Sequence, residues 1–124
     1  MTQPLALVFY ERLLPGSQLV NRLQDLGYRV QHISDPKILA ECAKREKPLL
    51  LFVDLDSSSE NVCEIIAELK RNQATKHLPI ISFAADDKNG LQAAALQAGA
   101  TLAVGETVVT GHLTQLLDQA LQVE

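Results

Sequence analysis

Four carboxylates, Glu11, Asp54, Asp56 and Glu106, follow closely on short apolar runs, and they are the side chains of this chain best placed to do chemistry. Asp54-Leu55-Asp56 closes the run Leu49-Leu50-Leu51-Phe52-Val53, and the hydroxyl-rich Ser57-Ser58-Ser59 follows it at once. Hard divalent cations such as Mg²⁺ and Ca²⁺ prefer carboxylate oxygen, so an acidic nest of these residues would hold one. The plainer reading of each is a helix cap or a solvated loop residue, with some of the side chains splaying into water.

Other chemistries find less support. His32, His77 and His112 fall on separate segments, which disfavours a metal site or a catalytic triad and leaves solvated or capping roles. Ser57-Ser58-Ser59 has no base in its sequence context and reads as a loop and helix cap. No glycine-rich phosphate loop follows the first apolar run, which weakens a nucleotide-binding reading. Asp86-Asp87 precedes a helical segment, where acids meet the favourable end of the helix dipole, and Lys44-Arg45-Glu46-Lys47 ends one, where cations do the same. Cys42 and Cys63 have no second Cys or His at metal spacing and make no disulfide framework, so both are expected to be buried free thiols.

The 124 residues suffice for one hydrophobic core, and a single domain over 1–124 with no output domain is expected. Apolar residues make up 47% and charged residues 21%, ordinary globular usage. No apolar run approaches the roughly 20 residues of a membrane-spanning helix. Met1-Thr2-Gln3-Pro4 does not resemble a secretory leader, and a cytoplasmic location is expected. A formal charge of −4 without a Lys/Arg run argues against nucleic acid as a partner.

The elements that must position the acids follow from the hydrophobic pattern. Leu5–Phe9 and Leu49–Val53 are short, nearly all-apolar runs, as parallel strands covered on both faces are. Tyr28–Ile33, Pro79–Phe83 and Leu102–Val104 supply three more strands. Leu19, Val20, Leu23 and Leu26 form a helical stripe expected to start after a turn at Pro15-Gly16-Ser17 and to stop at Gly27. Further helices run from Ser34-Asp35-Pro36 through Ala43, through Val62–Leu69, through Leu91–Ala98 to Gly99, and from Gly111 to Gln122. Strands alternating with helices predict an α/β fold, a doubly wound (βα)5 unit whose parallel sheet has its site beyond the carboxyl ends of the strands. Tyr10-Glu11, Asp54–Asp56, Ala84–Asp86 and Gly105-Glu106 all belong to that edge.

Over essentially its full length the chain resembles the receiver domains of response regulators. Pro48–Asp56 looks like the family's third strand ending in its phosphoacceptor aspartate, Leu78-Pro79-Ile80-Ile81 like its fourth strand, and Ala98-Gly99-Ala100 like the turn before its fifth. The resemblance implies a flavodoxin-like sheet of order 2-1-3-4-5, with Asp54 as acceptor and Glu11, Asp54 and Asp56 as the ligand positions for Mg²⁺, which is allowed rather than required. The Asp56 position contributes a backbone carbonyl in that family.

This sequence departs from the pattern at most remaining positions. Tyr10-Glu11 stands where the family has an acidic pair, Ala84 where it has Ser or Thr, Glu106 where it has Lys, and Ala103 where it has a switching aromatic. Cation and metal neutralise charge as a phosphoryl group nears the acceptor, and the hydroxyl then draws its loop inward. Ser82 lies two residues early, inside the strand, and cannot take that part. The chain is therefore expected to be an atypical, pseudo-receiver interaction module without catalytic activity. It would bind an unidentified protein partner, or itself as a homodimer through the last two helices and strand five. The alternative is a working phosphoacceptor in a two-component phosphorelay, with Asp54 phosphorylated by a histidine kinase; a third is a small flavodoxin-like enzyme or ligand-binding domain.

Overall fold

The computed structural model describes residues 4–10, 13–55, 62–85 and 89–122. Five parallel strands, β1 (Leu5–Phe9), β2 (Arg29–Ile33), β3 (Leu50–Asp54), β4 (Ile80–Ala84) and β5 (Leu102–Gly105), form one sheet in the order β2-β1-β3-β4-β5. Six helices, α1 (Leu13–Asp25), α2 (Pro36–Glu46), α3 (Val62–Arg71), α4 (Asn89–Ala98), α5 (Glu106–Gly111) and α6 (Leu113–Gln122), cover it. β1, β3 and β4 are buried at every residue, which is why they read as continuous apolar runs.

Side chains alternate across the sheet and divide the core in two. Leu5, Leu7, Phe9, Leu51, Val53 and Ile80 pack on one face with Leu39 of α2, Ile66 of α3 and Ala95 of α4. Ala6, Val8, Tyr10, Leu50, Phe52, Ile81 and Phe83 pack on the other with Leu19 of α1, Val109 of α5 and Leu116 of α6. Among the described residues no helix is long and apolar enough to cross a membrane.

Most element ends lie within a few residues of the sequence reading, and two differences are larger. Pro15-Gly16-Ser17 is not a turn before the first helix but lies near the start of α1. Proline is tolerated there because the first-turn amides have no intrahelical partner to lose. The terminal helix expected from Gly111 is preceded by a separate one, α5, which begins directly after β5 with Gly105 as its N-cap and His112 as its C-cap. Glu106 therefore opens a helix instead of standing in a loop. Cys42 is buried as expected, whereas Cys63 is only partly so; both are free, and burial pushes the Cys63 thiol up.

Candidate functional site at the carboxyl edge

The register of the sheet assembles the edge. Phe9 pairs with Val53, Asp54 with Phe83, and Ala84 with Gly105, so Tyr10, Asp54, Ala84 and Glu106 end or follow neighbouring strands on one edge. Leu50 and Phe52 face the α1, α5 and α6 layer, and alternation sends Asp54 to the same side, the side that also receives Tyr10. Asp54 is the last residue of β3 and has no solvent exposure. The next amide, that of Leu55, donates to the Phe83 carbonyl at 2.8 Å and locks the strand end in place.

Tyr10 is buried and behaves as packing. Its amide donates to the Ile33 carbonyl at 3.1 Å, continuing the β1–β2 ladder one residue past β1. Its ring stacks on His32 with centroids 3.9 Å apart and planes 16° from parallel. The His32 ring, through Nε2, donates to the Tyr10 carbonyl at 3.1 Å. On the helical side the ring rests against Gly16 of α1, where a Cβ would overlap the ring atoms. A phenol thus fills the position where the family resemblance puts a carboxylate, and a helix glycine makes room for it.

The remaining positions lie as follows. Ala84 ends β4 and is fully buried in the α2–α4 core. Ala103 sits in β5 opposite Ser82 and packs against that core. Ser82 is wholly buried, and its hydroxyl donates to the Leu102 carbonyl at 3.0 Å across to β5. Glu106 is half-buried as the first residue of α5, and its carbonyl accepts a bond from the Thr110 hydroxyl at 3.0 Å. Glu11 and Asp56 lie outside the described residues. Of the four carboxylates proposed for a cation only Asp54 and Glu106 are described, and among the described residues no group of three or more His, Cys, Asp or Glu is arranged to hold a metal ion.

No protein-family model and no curated protein sequence matches the chain. Solved structures do. A protein assigned as a response regulator from Chloroflexus aurantiacus J-10-fl superposes with a TM-score of 0.90 at 17% identity, over 98% of this chain and 100% of the other. The fold is the receiver fold. The receiver domain of the sensor histidine kinase PA1611 from Pseudomonas aeruginosa PAO1, with magnesium coordinated in its active-site cleft, matches at 0.86 and 19% identity, over 98% of this chain and 100% of that one. The chemotaxis response regulator CheY4 of Vibrio cholerae matches at 0.83 and 18%, over 97% and 100%. At such identities the receiver fold is what these chains share, and the site residues must be argued from this chain alone.

Sequence reasoning missed the Tyr10–His32 pair because the two are 22 residues apart and meet only through the β1–β2 register, in which Val8 pairs with His32. The signal within reach was that both residues sit where neighbouring strands end.

Proposed function

We propose that this chain is an atypical receiver-type signalling domain, cytoplasmic and without catalytic activity of its own. It works by binding a protein partner and not by phosphorylation-driven switching. The observation that carries this reading is the end of β3, where Asp54 is withdrawn from solvent and the neighbouring position is filled by the stacked Tyr10 ring. Phosphoryl transfer depends on positioning and on cations that neutralise the incoming charge. Here a phenol stands at one metal position, an anion, Glu106, at the cation position, and Ala84 at the hydroxyl position. Without that hydroxyl nothing pulls the β4–α4 connection toward a modified Asp54, and Ala103 offers no aromatic ring to follow.

The partner surface proposed is the face formed by α4, β5 and the helices after it, with a second copy of this chain as one occupant. No charged residue occurs from Asn89 to Gly105. β5 is an edge strand partly exposed along its whole length, and Leu96 of α4 is 50% exposed. Sedimentation of the wild type and of Leu96→Glu tests it: a dimer lost in the variant supports self-association, and a monomer at high concentration in both favours a different protein partner.

The chemistry is tested with a small acyl-phosphate donor and Mg²⁺, reading intact mass and backbone amide shifts with Asp54→Asn as control. The expected result is a largely unmodified protein. Stoichiometric labelling at Asp54, with shifts reaching residues 102–121, would overturn the proposal and establish a working phosphoacceptor.

A further inference from the structure

We propose that the amino-terminal edge of β3 and β4, opposite to Asp54, is a docking surface for an acidic peptide segment that carries a large apolar side chain. Leu51 pairs with Ile80, and the Leu51 amide donates to the Pro79 carbonyl at 3.0 Å. Lys47 and Leu49 ahead of β3 therefore come to the same edge as Lys76 and His77 ahead of β4. All four are exposed, and Leu49 is 43% exposed although Leu50 and Leu51 beside it are fully buried. Lys44 at the end of α2 and Arg71 at the end of α3 are exposed on the flanks, and the two helices pack side by side.

The arrangement holds the α3–β4 side of this edge in place. The Lys70 ammonium donates to the carbonyls of Lys76 at 3.2 Å and Leu78 at 2.8 Å. The Thr75 hydroxyl, fully buried, donates to the Leu69 carbonyl at 2.6 Å, and the Ala74 amide donates to the Asn72 side-chain oxygen at 2.8 Å. The connection from α3 to β4 is thus tied at several points, and Lys76 and His77 project from a rigid base. Lys47 has φ of 49°, the left-handed conformation in which glycine is the usual residue after a helix. A lysine there, against its backbone preference, places a charge that glycine would not.

The helix dipole accounts for Lys44 and Arg71 but not for Lys76, which lies beyond α3. Of the acids nearby, Glu46 is engaged by the Arg45 guanidinium at 3.0 Å, and Glu41 and Glu68 lie back along their helices. A chain of formal charge −4 thus concentrates exposed cations around one exposed leucine. A polyphosphate would engage the cations but has nothing to offer Leu49, whereas a short acidic peptide offers carboxylates for the rim and an apolar side chain for Leu49.

The test uses a fluorescent peptide of glutamates around one leucine, titrated into the full chain and followed by anisotropy and amide shifts. Expected are shifts confined to residues 44–49 and 70–79, affinity that falls as salt rises, and about tenfold weaker binding for Lys47→Glu with Lys76→Glu. Lys47→Gly suits the left-handed backbone, so it should weaken binding without lowering the thermal midpoint, and Leu49→Ala should weaken it as well. No binding, shifts mapping to α4 and β5, unchanged affinity in these variants, or tighter binding of a single-stranded oligonucleotide to the same residues would each overturn the proposal.

Discussion

The ring of Tyr10 lies flat on that of His32, 3.9 Å away, and the backbone carbonyl of the same tyrosine accepts the imidazole proton. One residue thus takes part in both a stack and a hydrogen bond at the edge of the sheet where charge chemistry is expected. Its other ring contact, Gly16, makes the arrangement measurable.

Tyr10→Ala should cost about 3 kcal/mol, because a large buried ring is lost and the cavity relaxes only in part. Gly16→Ala would gain about 1 kcal/mol of helix propensity on an open helix face. Here it should lose about 1–3 kcal/mol instead, since the new methyl meets the Tyr10 ring. In the double variant the two costs should fall short of their sum by about 1 kcal/mol or more, measured as urea midpoints. Strict additivity would mean that the ring moves aside freely.

Glu106→Lys combined with Ala84→Thr should raise labelling of Asp54 by an acyl-phosphate donor. Two unit charges about 4 Å apart interact by about 4 kcal/mol at an effective dielectric of about 20, so a lysine at position 106 would replace repulsion of an incoming phosphoryl group by attraction. Intact mass after a fixed exposure reads the outcome. If labelling stays at the wild-type level, the barrier lies in the burial of Asp54 and not in the charge at position 106.

Alkaline pH should destabilise the protein through Tyr28. Burial, with a smaller contribution from Asp118, raises its phenol above the ordinary value of 10.0. Below that value the phenol is neutral in both states and the contribution is fully present; above it the unfolded chain ionises first, and stability is lost until the folded phenol ionises too. Lys70 acts in the opposite sense, since burial lowers its ammonium from 10.5 and stability rises as the folded state deprotonates first. Thermal midpoints between about pH 8 and 11 should therefore fall less in Tyr28→Phe than in the wild type.

Gly99→Ala should cost about 1 kcal/mol more than Gly27→Ala. Both glycines have positive φ, 118° and 93°, so each substitution carries the left-handed penalty of about 1–2 kcal/mol. Only at Gly99 would the new Cβ also approach the Lys70 Cγ at 2.8 Å; at Gly27 nothing lies within 4 Å. Lys70 is held by its bonds to two carbonyls and cannot swing away without losing them. Equal losses in chemical denaturation would show that the lysine stem yields.

The sheet was legible because its central strands are buried on both faces, and uninterrupted apolar runs as short as Leu5–Phe9 and Leu50–Val53 suit a covered parallel strand better than a helix. The order of strands followed from right-handed crossovers together with the family resemblance. Helix ends were less legible where proline and glycine serve a packing purpose. Pro15-Gly16 has the composition of a turn, yet its glycine is there for the Tyr10 ring, a contact with no local sequence signature. The six-residue α5 was missed because it is too short to show a period and follows β5 with no intervening loop. At the site, Asp54, Ala84 and Glu106 could be assigned to one edge by register alone. What a residue touches there, as with Tyr10 and His32, depends on strands that are distant in sequence.

The position of β1 between β2 and β3 also bears on synthesis. The first strand of this sheet gains one lateral neighbour only after a full crossover and the second only after two. At about 5–20 residues per second, Leu5–Phe9 spends on the order of seconds as an unpaired apolar strand, the kind of segment that aggregates. Pro4 just before it has no amide to offer a foreign strand, and its carbonyl waits for Arg29, whose amide reaches it at 2.8 Å in the finished sheet. Glu11 and Arg12 follow soon after the run, where charges discourage stacking of like chains. A segment that becomes an interior strand of the sheet is thus flanked by residues suited to keeping a nascent chain solitary until its neighbours arrive.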